Sequence, residues 1–244
     1  MERFINKITL GNFYELVNEI PDNSIDLVAT DPPYRIHAKS GGGLHNKRDW
    51  LKNVHNSDLD EFDPILFLEQ CVRVLKKFNA YIFCSKDLLV DYITFAVSNG
   101  FNWDLLVMGK RNPIPTKNNK YLSDIEYIMY IREKGACFND LKGKLHFSKY
   151  RKIKMTNVKP SEYGHPTEKP LHIMQQLIEI SSKKGELILD PFMGSGTTAL
   201  ACRDLEREFI GFEIDKDFHE KAIRKLEGLR ANTSLEQTFF GMDE

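Results

Sequence analysis

Two short segments hold side chains whose types and spacing can do chemistry on a flat ring that carries an amine. Asp31-Pro32-Pro33-Tyr34 joins a carboxylate, two prolines and an aromatic face within four residues. Consecutive prolines fix φ and remove two backbone donors, which leaves nearby carbonyls as acceptors. One N–H bond of an exocyclic amine can go to Asp31 and the other to a proline carbonyl. Tyr34 can stack on the ring, an interaction worth about 1–3 kcal/mol per base. The second segment, Asp190-Pro191-Phe192-Met193-Gly194-Ser195-Gly196-Thr197-Thr198, sets a carboxylate before a glycine turn. Such glycines let the backbone turn tightly beside a ligand, and a helix starting at Thr197 presents free N–H groups. Glu213 lies 17 residues beyond Gly196 and closes the next apolar run. A carboxylate there can accept from both hydroxyls of a ribose.

Each segment has a competing reading. Gly194-x-Gly196-x-x-Ala199 fits the dinucleotide fingerprint, so an NAD-type site is one alternative and a ligand-free strand–helix turn is another. Asp31-Pro32-Pro33-Tyr34 can also be a type I turn with a buried tyrosine. Asp190 argues for a ligand bearing positive charge, such as a sulfonium or an α-amine, because a dinucleotide site usually has an apolar residue there. Too little chain follows Glu213 to finish a dinucleotide sheet, so the remaining strands must come from the N-terminal portion. The amine of adenine or cytosine is a weak nucleophile, since its lone pair is delocalised into the ring. Holding both hydrogens in acceptors favours a pyramidal nitrogen that can attack a methyl sulfonium in line. That route needs no covalent intermediate and no catalytic cysteine. Cys71, Cys84, Cys137 and Cys202 form no Cys-x-x-Cys pair and read as reduced, cytoplasmic, mostly core thiols. The seven histidines show no metal-ligand spacing, so no metal is expected.

The elements that must position these groups alternate along 244 residues, a pattern that favours a mostly parallel sheet covered on both faces. Strands are expected at 7–10, 24–30, 80–84, 103–108, 125–131, 186–189 and 208–212. Helices are expected at 13–19, from Asp63-Pro64 through Leu75, and at 88–97, 170–182, 197–205 and 216–230. No apolar run reaches the length of a membrane span, and the start lacks a signal-peptide pattern. Net charge is −1, yet residues 142–160 carry six lysines, one arginine and no acid, which leaves −8 on the remainder. That stretch, with His146, Phe147 and Tyr150 interleaved, is either a phosphate-contacting surface or a solvated loop.

Together these segments resemble the β-class amino DNA methyltransferases. Further matching stretches are Gly11-Asn12, Ile20-Pro21-Asp22-Asn23-Ser24-Ile25-Asp26-Leu27 and His165-Pro166-Thr167-Glu168-Lys169-Pro170. The resemblance implies a Rossmann-like α/β methyltransferase fold, circularly permuted. A mostly parallel seven-stranded sheet would carry helices on both faces and a small target-recognition insertion. It divides the chain into a catalytic portion (1–131, with a mobile loop at 35–60), a basic recognition region (132–164), a cofactor-binding portion (165–230) and a tail (231–244). It implies S-adenosyl-L-methionine as cofactor and transfer of its methyl group to the N6 amine of a flipped adenine in DNA. The N4-cytosine enzyme of the same fold, and a non-catalytic subunit binding DNA and cofactor, are the alternatives. Asp31 and Tyr34 would be the catalytic pair, with Pro32 and Pro33. Asn12, Asp31, Thr167, Lys169, Asp190, Phe192, Gly194, Ser195, Gly196, Thr197 and Glu213 would line the cofactor. Lys39, Lys47, Arg48, Arg111, Asn112, Lys149, Tyr150, Arg151, Lys152 and Lys154 would meet DNA, and Trp50 or Tyr150 could stack. A homodimer and a cognate restriction endonuclease are further partners such a protein often has. Phe239 and Phe240 are expected to pack back on the body beyond the last helix, or to form a short docking motif.

Overall fold

The structure is a computed structural model that describes residues 1–33, 62–110, 121–122, 124–139, 152–156 and 168–239. Among the described residues, eight strands form a single central sheet. These are β1 (Lys7–Leu10), β2 (Leu27–Thr30), β3 (Asn79–Cys84), β4 (Asn102–Lys110), β5 (Ile125–Arg132), β6 (Lys152–Thr156), β7 (Leu187–Asp190) and β8 (Glu208–Glu213). Their order across the sheet is β1-β8-β7-β2-β3-β5-β4-β6. The pairings are parallel except for the two made by β5, which runs antiparallel to β3 and to β4. All but β6 are strands that the apolar runs lead one to expect, and β6 joins them at an edge.

Six α-helices among the described residues cover the sheet: α1 (Phe13–Leu16), α2 (Pro64–Val74), α3 (Leu89–Ser98), α4 (Leu171–Ser181), α5 (Thr197–Asp204) and α6 (Lys216–Phe239). The middle strands are buried on both faces, so their sequences are nearly all apolar instead of alternating. Successive side chains still divide between two cores. Val28, Ala80, Ile82 and Cys84 pack with Phe67, Leu68, Tyr92 and Phe95 from α2 and α3. Leu27, Ala29, Tyr81 and Phe83 pack on the other side with Ile173, Leu177, Ala199 and Ala222 from α4, α5 and α6.

Local sequence sets the helix starts. Asp63 caps α2 by accepting from the backbone N–H of Ile65 at 2.8 Å and of Leu66 at 3.1 Å, with Pro64 at the first helical position. Asn12 caps α1 in the same way, accepting from Tyr14 N–H at 2.9 Å.

Two expectations need correction. Lys152–Thr156 lies inside the expected recognition region, yet it is an eighth strand of the catalytic sheet, parallel to β4 with Met108 opposite Ile153. The last helix does not stop at Arg230 but continues to Phe239, so most of the expected tail is helical. The expected loop at 35–60 lies outside the described residues.

β7 is flanked by β8, which follows it in the chain, and by β2, which precedes it by more than a hundred residues. The two halves of the sheet meet there. In open α/β sheets such a switch point opens a crevice beyond the carboxyl ends of the strands. β1 also pairs with β8, so strands from both ends of the chain complete one sheet.

Candidate active site

Both chemical segments emerge at that crevice. Asp31 follows the last residue of β2, and Asp190 is the last residue of the neighbouring β7. They are linked directly, because the Thr30 hydroxyl donates to Asp190 Oδ1 at 2.6 Å. The Phe192 backbone N–H donates to the same oxygen at 3.1 Å. Asp190 is buried, and burial raises its carboxyl to about 6 against hydrogen bonds from Thr198, Thr30 and Phe192 that lower it; the negative charge of Asp31 adds to the rise.

Glu213 ends β8, beside β7. The backbone N–H of Gly194 donates to Oε2 at 2.7 Å and that of Asp215 to Oε1 at 2.9 Å. Burial again dominates and raises the carboxyl to about 7. Between these acids the chain turns through Gly194 and Gly196, with φ of 51° and 76°, a region that favours glycine. A Cβ on Gly196 would come within 3.2 Å of the Ala222 Cβ, so the turn is also pressed closely against α6.

Phe192 is fixed by rings from three directions, with centroids of Phe13, Phe62 and Phe67 at 5.8, 5.5 and 5.7 Å. Gly11 N–H donates to the carbonyl of Glu213 at 2.8 Å, which brings Asn12 beside that acid. The Asn12 side-chain oxygen is already used as the α1 cap. Ser195 and Thr197 are buried and share a hydrogen bond at 3.0 Å. Lys225 Nζ donates to Thr197 Oγ1 at 3.4 Å and pairs with Glu168, so these hydroxyls belong to a network tying α5 to α6.

Lys169 is 6% exposed and pairs with Asp31 Oδ2 at 2.6 Å. Its second carboxylate is Glu126, whose Oε2 lies 3.5 Å away. Its ammonium also sits 5.2 Å from the centre of the Phe83 ring. Burial works to lower the Lys169 ammonium, but Asp31 and Glu126 outweigh it and hold it above its ordinary value. In this structure Lys169 thus serves the acid of the first chemical segment.

Pro32 is buried and Pro33 half-buried directly after Asp31. Tyr34, Lys39, Lys47, Arg48, Trp50, Arg111, Asn112, Lys149, Tyr150, Arg151 and Thr167 lie outside the described residues. The backbones of Lys152 and Lys154 run in the edge strand β6. Cys84, at the end of β3, feels burial above all and also the Asp31 charge, which together push its thiol up to about 12. A thiol raised in this way is a poor nucleophile near neutral pH, which accords with direct attack by a substrate nitrogen. The residues that sequence reasoning passed over are Thr30, Glu126, Lys110, Glu168 and Lys225. The available signal was faint: Glu126 is the lone acid in a strand that is otherwise apolar or aromatic up to its final Arg132.

The residues present suit S-adenosylmethionine. Two buried carboxylates end adjacent parallel strands and border a glycine turn, and that cofactor offers a sulfonium, an ammonium and ribose hydroxyls to such acceptors.

Comparison with known proteins agrees. Residues 25–224 match the N6_N4_Mtase family, described as DNA methylase. The Type II methyltransferase M2.MboI of Moraxella bovis is 31% identical, over 88% of this chain and 85% of its own length. M2.DpnII of Streptococcus pneumoniae is 28% identical, over 91% and 90%. Among solved structures, the M1.HpyAVI-SAM complex superposes with a TM-score of 0.68 at 27% identity, covering 90% of this chain and 98% of its own. The cytosine-N4-specific PvuII DNA methyltransferase shares the fold at a TM-score of 0.69 and 17% identity, covering 89% and 84%. A permuted α/β sheet, two acidic segments meeting at its switch point and a family match over most of the sequence place this chain among the N6/N4 DNA methyltransferases.

Proposed function

We propose that this protein transfers a methyl group from S-adenosylmethionine to the N6 amine of an adenine turned out of DNA. The observation that carries the reading is the Thr30–Asp190 hydrogen bond, which joins the end of the amine-holding strand to the end of the cofactor strand. A base inside a duplex is out of reach of any such crevice, and extruding it costs a few kcal/mol. When bound, the cofactor supplies an electrophilic methyl group on positively charged sulfur.

The work of the chain is to hold the amine. Asp31 and the Pro32 carbonyl accept its two N–H bonds, and Tyr34 stacks on the ring. The nitrogen lone pair would then be localised toward the methyl carbon; as the N–C bond formed, the carbon–sulfur bond would break with its electron pair left on sulfur, and the surplus amine proton would pass by way of Asp31 to water. Asp190 and Glu213 take the positive and hydroxyl-bearing parts of the cofactor, with Phe192, Gly194 and Gly196 forming the wall between them. Asn12 has its amide nitrogen to offer, and Thr167 is assigned to the cofactor on the resemblance alone. The 35–60 stretch and the basic 142–160 stretch grip the distorted strand. The fold serves both amino targets, as the cytosine-specific neighbour shows of itself, so the choice of adenine rests on the family resemblance carried by Asp31-Pro32-Pro33-Tyr34.

The deciding experiment incubates purified protein with unmodified DNA and methyl-labelled cofactor, then digests the DNA to nucleosides. Label in N6-methyl-2′-deoxyadenosine is expected. Label in N4-methyl-2′-deoxycytidine would overturn the target, and no label in DNA would overturn the activity. Asp31→Asn is expected to lower single-turnover transfer by about 100- to 1,000-fold while cofactor binding persists. DNA is the substrate partner; a second copy of the chain and a cognate restriction endonuclease are proposed companions, in the cytoplasm.

A further inference from the structure

Four charged side chains of alternating sign cross the carboxyl edge of the sheet. Lys110 is the last residue of β4, Glu126 the second of β5, Lys169 precedes α4, and Asp31 follows β2. Lys110 Nζ is 2.6 Å from Glu126 Oε1, Glu126 Oε2 is 3.5 Å from Lys169 Nζ, and Lys169 Nζ is 2.6 Å from Asp31 Oδ2. Glu126 Oε2 is buried, and its 3.5 Å contact with Lys169 Nζ is long for a hydrogen bond, so it acts on Lys169 chiefly as a charge. Burial favours neutral Glu126, yet Lys169 and Lys110 hold its carboxyl below the ordinary value.

Withdrawing such charges from water costs several kcal/mol per ion, and an apolar cluster would be a cheaper way to join four elements. Position distinguishes this chain of charges from a purely structural pair. Asp26 and Lys76 also form an ion pair, but at the amino end of β2, with the lysine 52% exposed. The Lys110–Glu126–Lys169 series instead ends on the acid proposed to hold the substrate amine. Lysine is a long side chain with much rotamer freedom. One carboxylate alone leaves its ammonium free to swing. A second carboxylate behind it narrows that motion, and Lys110 anchors the second carboxylate in turn.

We infer that Glu126 is a positioning residue for methyl transfer, fixing Lys169 and, through it, the orientation of the Asp31 carboxylate. The inference rests on the role proposed above for Asp31. Its consequence is kinetic, because misplacing a reacting group by about 1 Å can cost on the order of 100-fold in rate.

The test measures single-turnover methyl transfer to a DNA duplex, together with cofactor affinity by titration. Glu126→Gln removes the charge and keeps the shape. It is expected to lower the transfer rate by about tenfold or more while cofactor affinity stays within about twofold. Glu126→Asp, which retains the charge, should recover part of the loss. In a Lys169→Met background, Glu126→Gln should do nothing more, because the two residues act in series. A wild-type rate in Glu126→Gln alongside an inactive Asp31→Asn would overturn the inference and leave the amine-holding site standing. Undiminished transfer by Asp31→Asn would instead remove that site. Losses that multiply in the double variant would show that Glu126 acts independently of Lys169, which also overturns the inference. Should Glu126→Gln fail to fold, Lys110→Met asks the question from the far end of the series. Slower transfer with intact cofactor binding would support the inference, and an unchanged rate would refute it.

Discussion

Asp190 and Glu213 are acids placed where water is scarce, and their protonation follows from that. Their carboxyls stand at about 6 and about 7 in the folded protein. Unfolded, they would titrate near ordinary carboxylate values of about 4. Between those limits the folded chain binds more protons than the unfolded one. Stability of the cofactor-free protein therefore falls as pH rises from about 4 to about 7, and below about 4 the two states do not differ. A cationic, hydroxyl-bearing cofactor favours the ionised acids. If both acids must be ionised, its affinity should rise by up to roughly 100-fold between about pH 5.5 and 7.5, with protons released on binding. Calorimetry in buffers of different ionisation enthalpy measures both; affinity independent of pH would contradict the burial argument. The acids themselves are legible in the sequence because each closes an apolar run beside prolines or glycines. Glu126, Lys110, Glu168 and Lys225 are not, because their partners are set by strand register and helix packing, which no local spacing encodes.

At the scale of elements, helix starts and the glycine turn are the points of local control. Asp63→Ala removes the oxygen that accepts from two N–H groups at the start of α2 and should cost about 1 kcal/mol of stability, seen as a lower denaturant midpoint. Gly196→Ala combines a φ of 76° with a Cβ only 3.2 Å from Ala222, and should cost about 1–3 kcal/mol and weaken cofactor binding. Full affinity in that variant would show that the turn adapts. The central strands are readable because strands buried on both faces are continuously apolar. β6 is hidden in a basic run, Lys152-Ile-Lys-Met-Thr156, whose strand conformation depends on pairing with β4. The end of α6 is obscured because Asn232, Thr233 and Ser234 are weak helix formers, and the helix runs through them.

At the scale of the molecule, charge is distributed unevenly: an acidic body carries one basic stretch that includes β6. DNA affinity should fall with salt. Replacing Lys152 and Lys154 together by alanine should flatten the slope of log affinity against log salt, by up to about 0.9 for each phosphate left without its lysine. Cofactor affinity should not change. An unaltered slope in filter-binding titrations would move the DNA-gripping surface elsewhere. The two-halves arrangement is foreshadowed by the order of the segments, since the acid-aromatic turn comes early in the chain and the cofactor turn late.

That arrangement has a consequence for synthesis on the ribosome. β7 fills the gap between β8 and β2, and β1 has β8 as its partner. A nascent chain that stops short of β7 leaves β2 with an open edge and β1 without its only partner strand among the described residues, a state that favours aggregation and chaperone capture. Truncated translation products should thus be cleared as insoluble fragments, because the crevice between β2 and β7 forms only once β7 is in place.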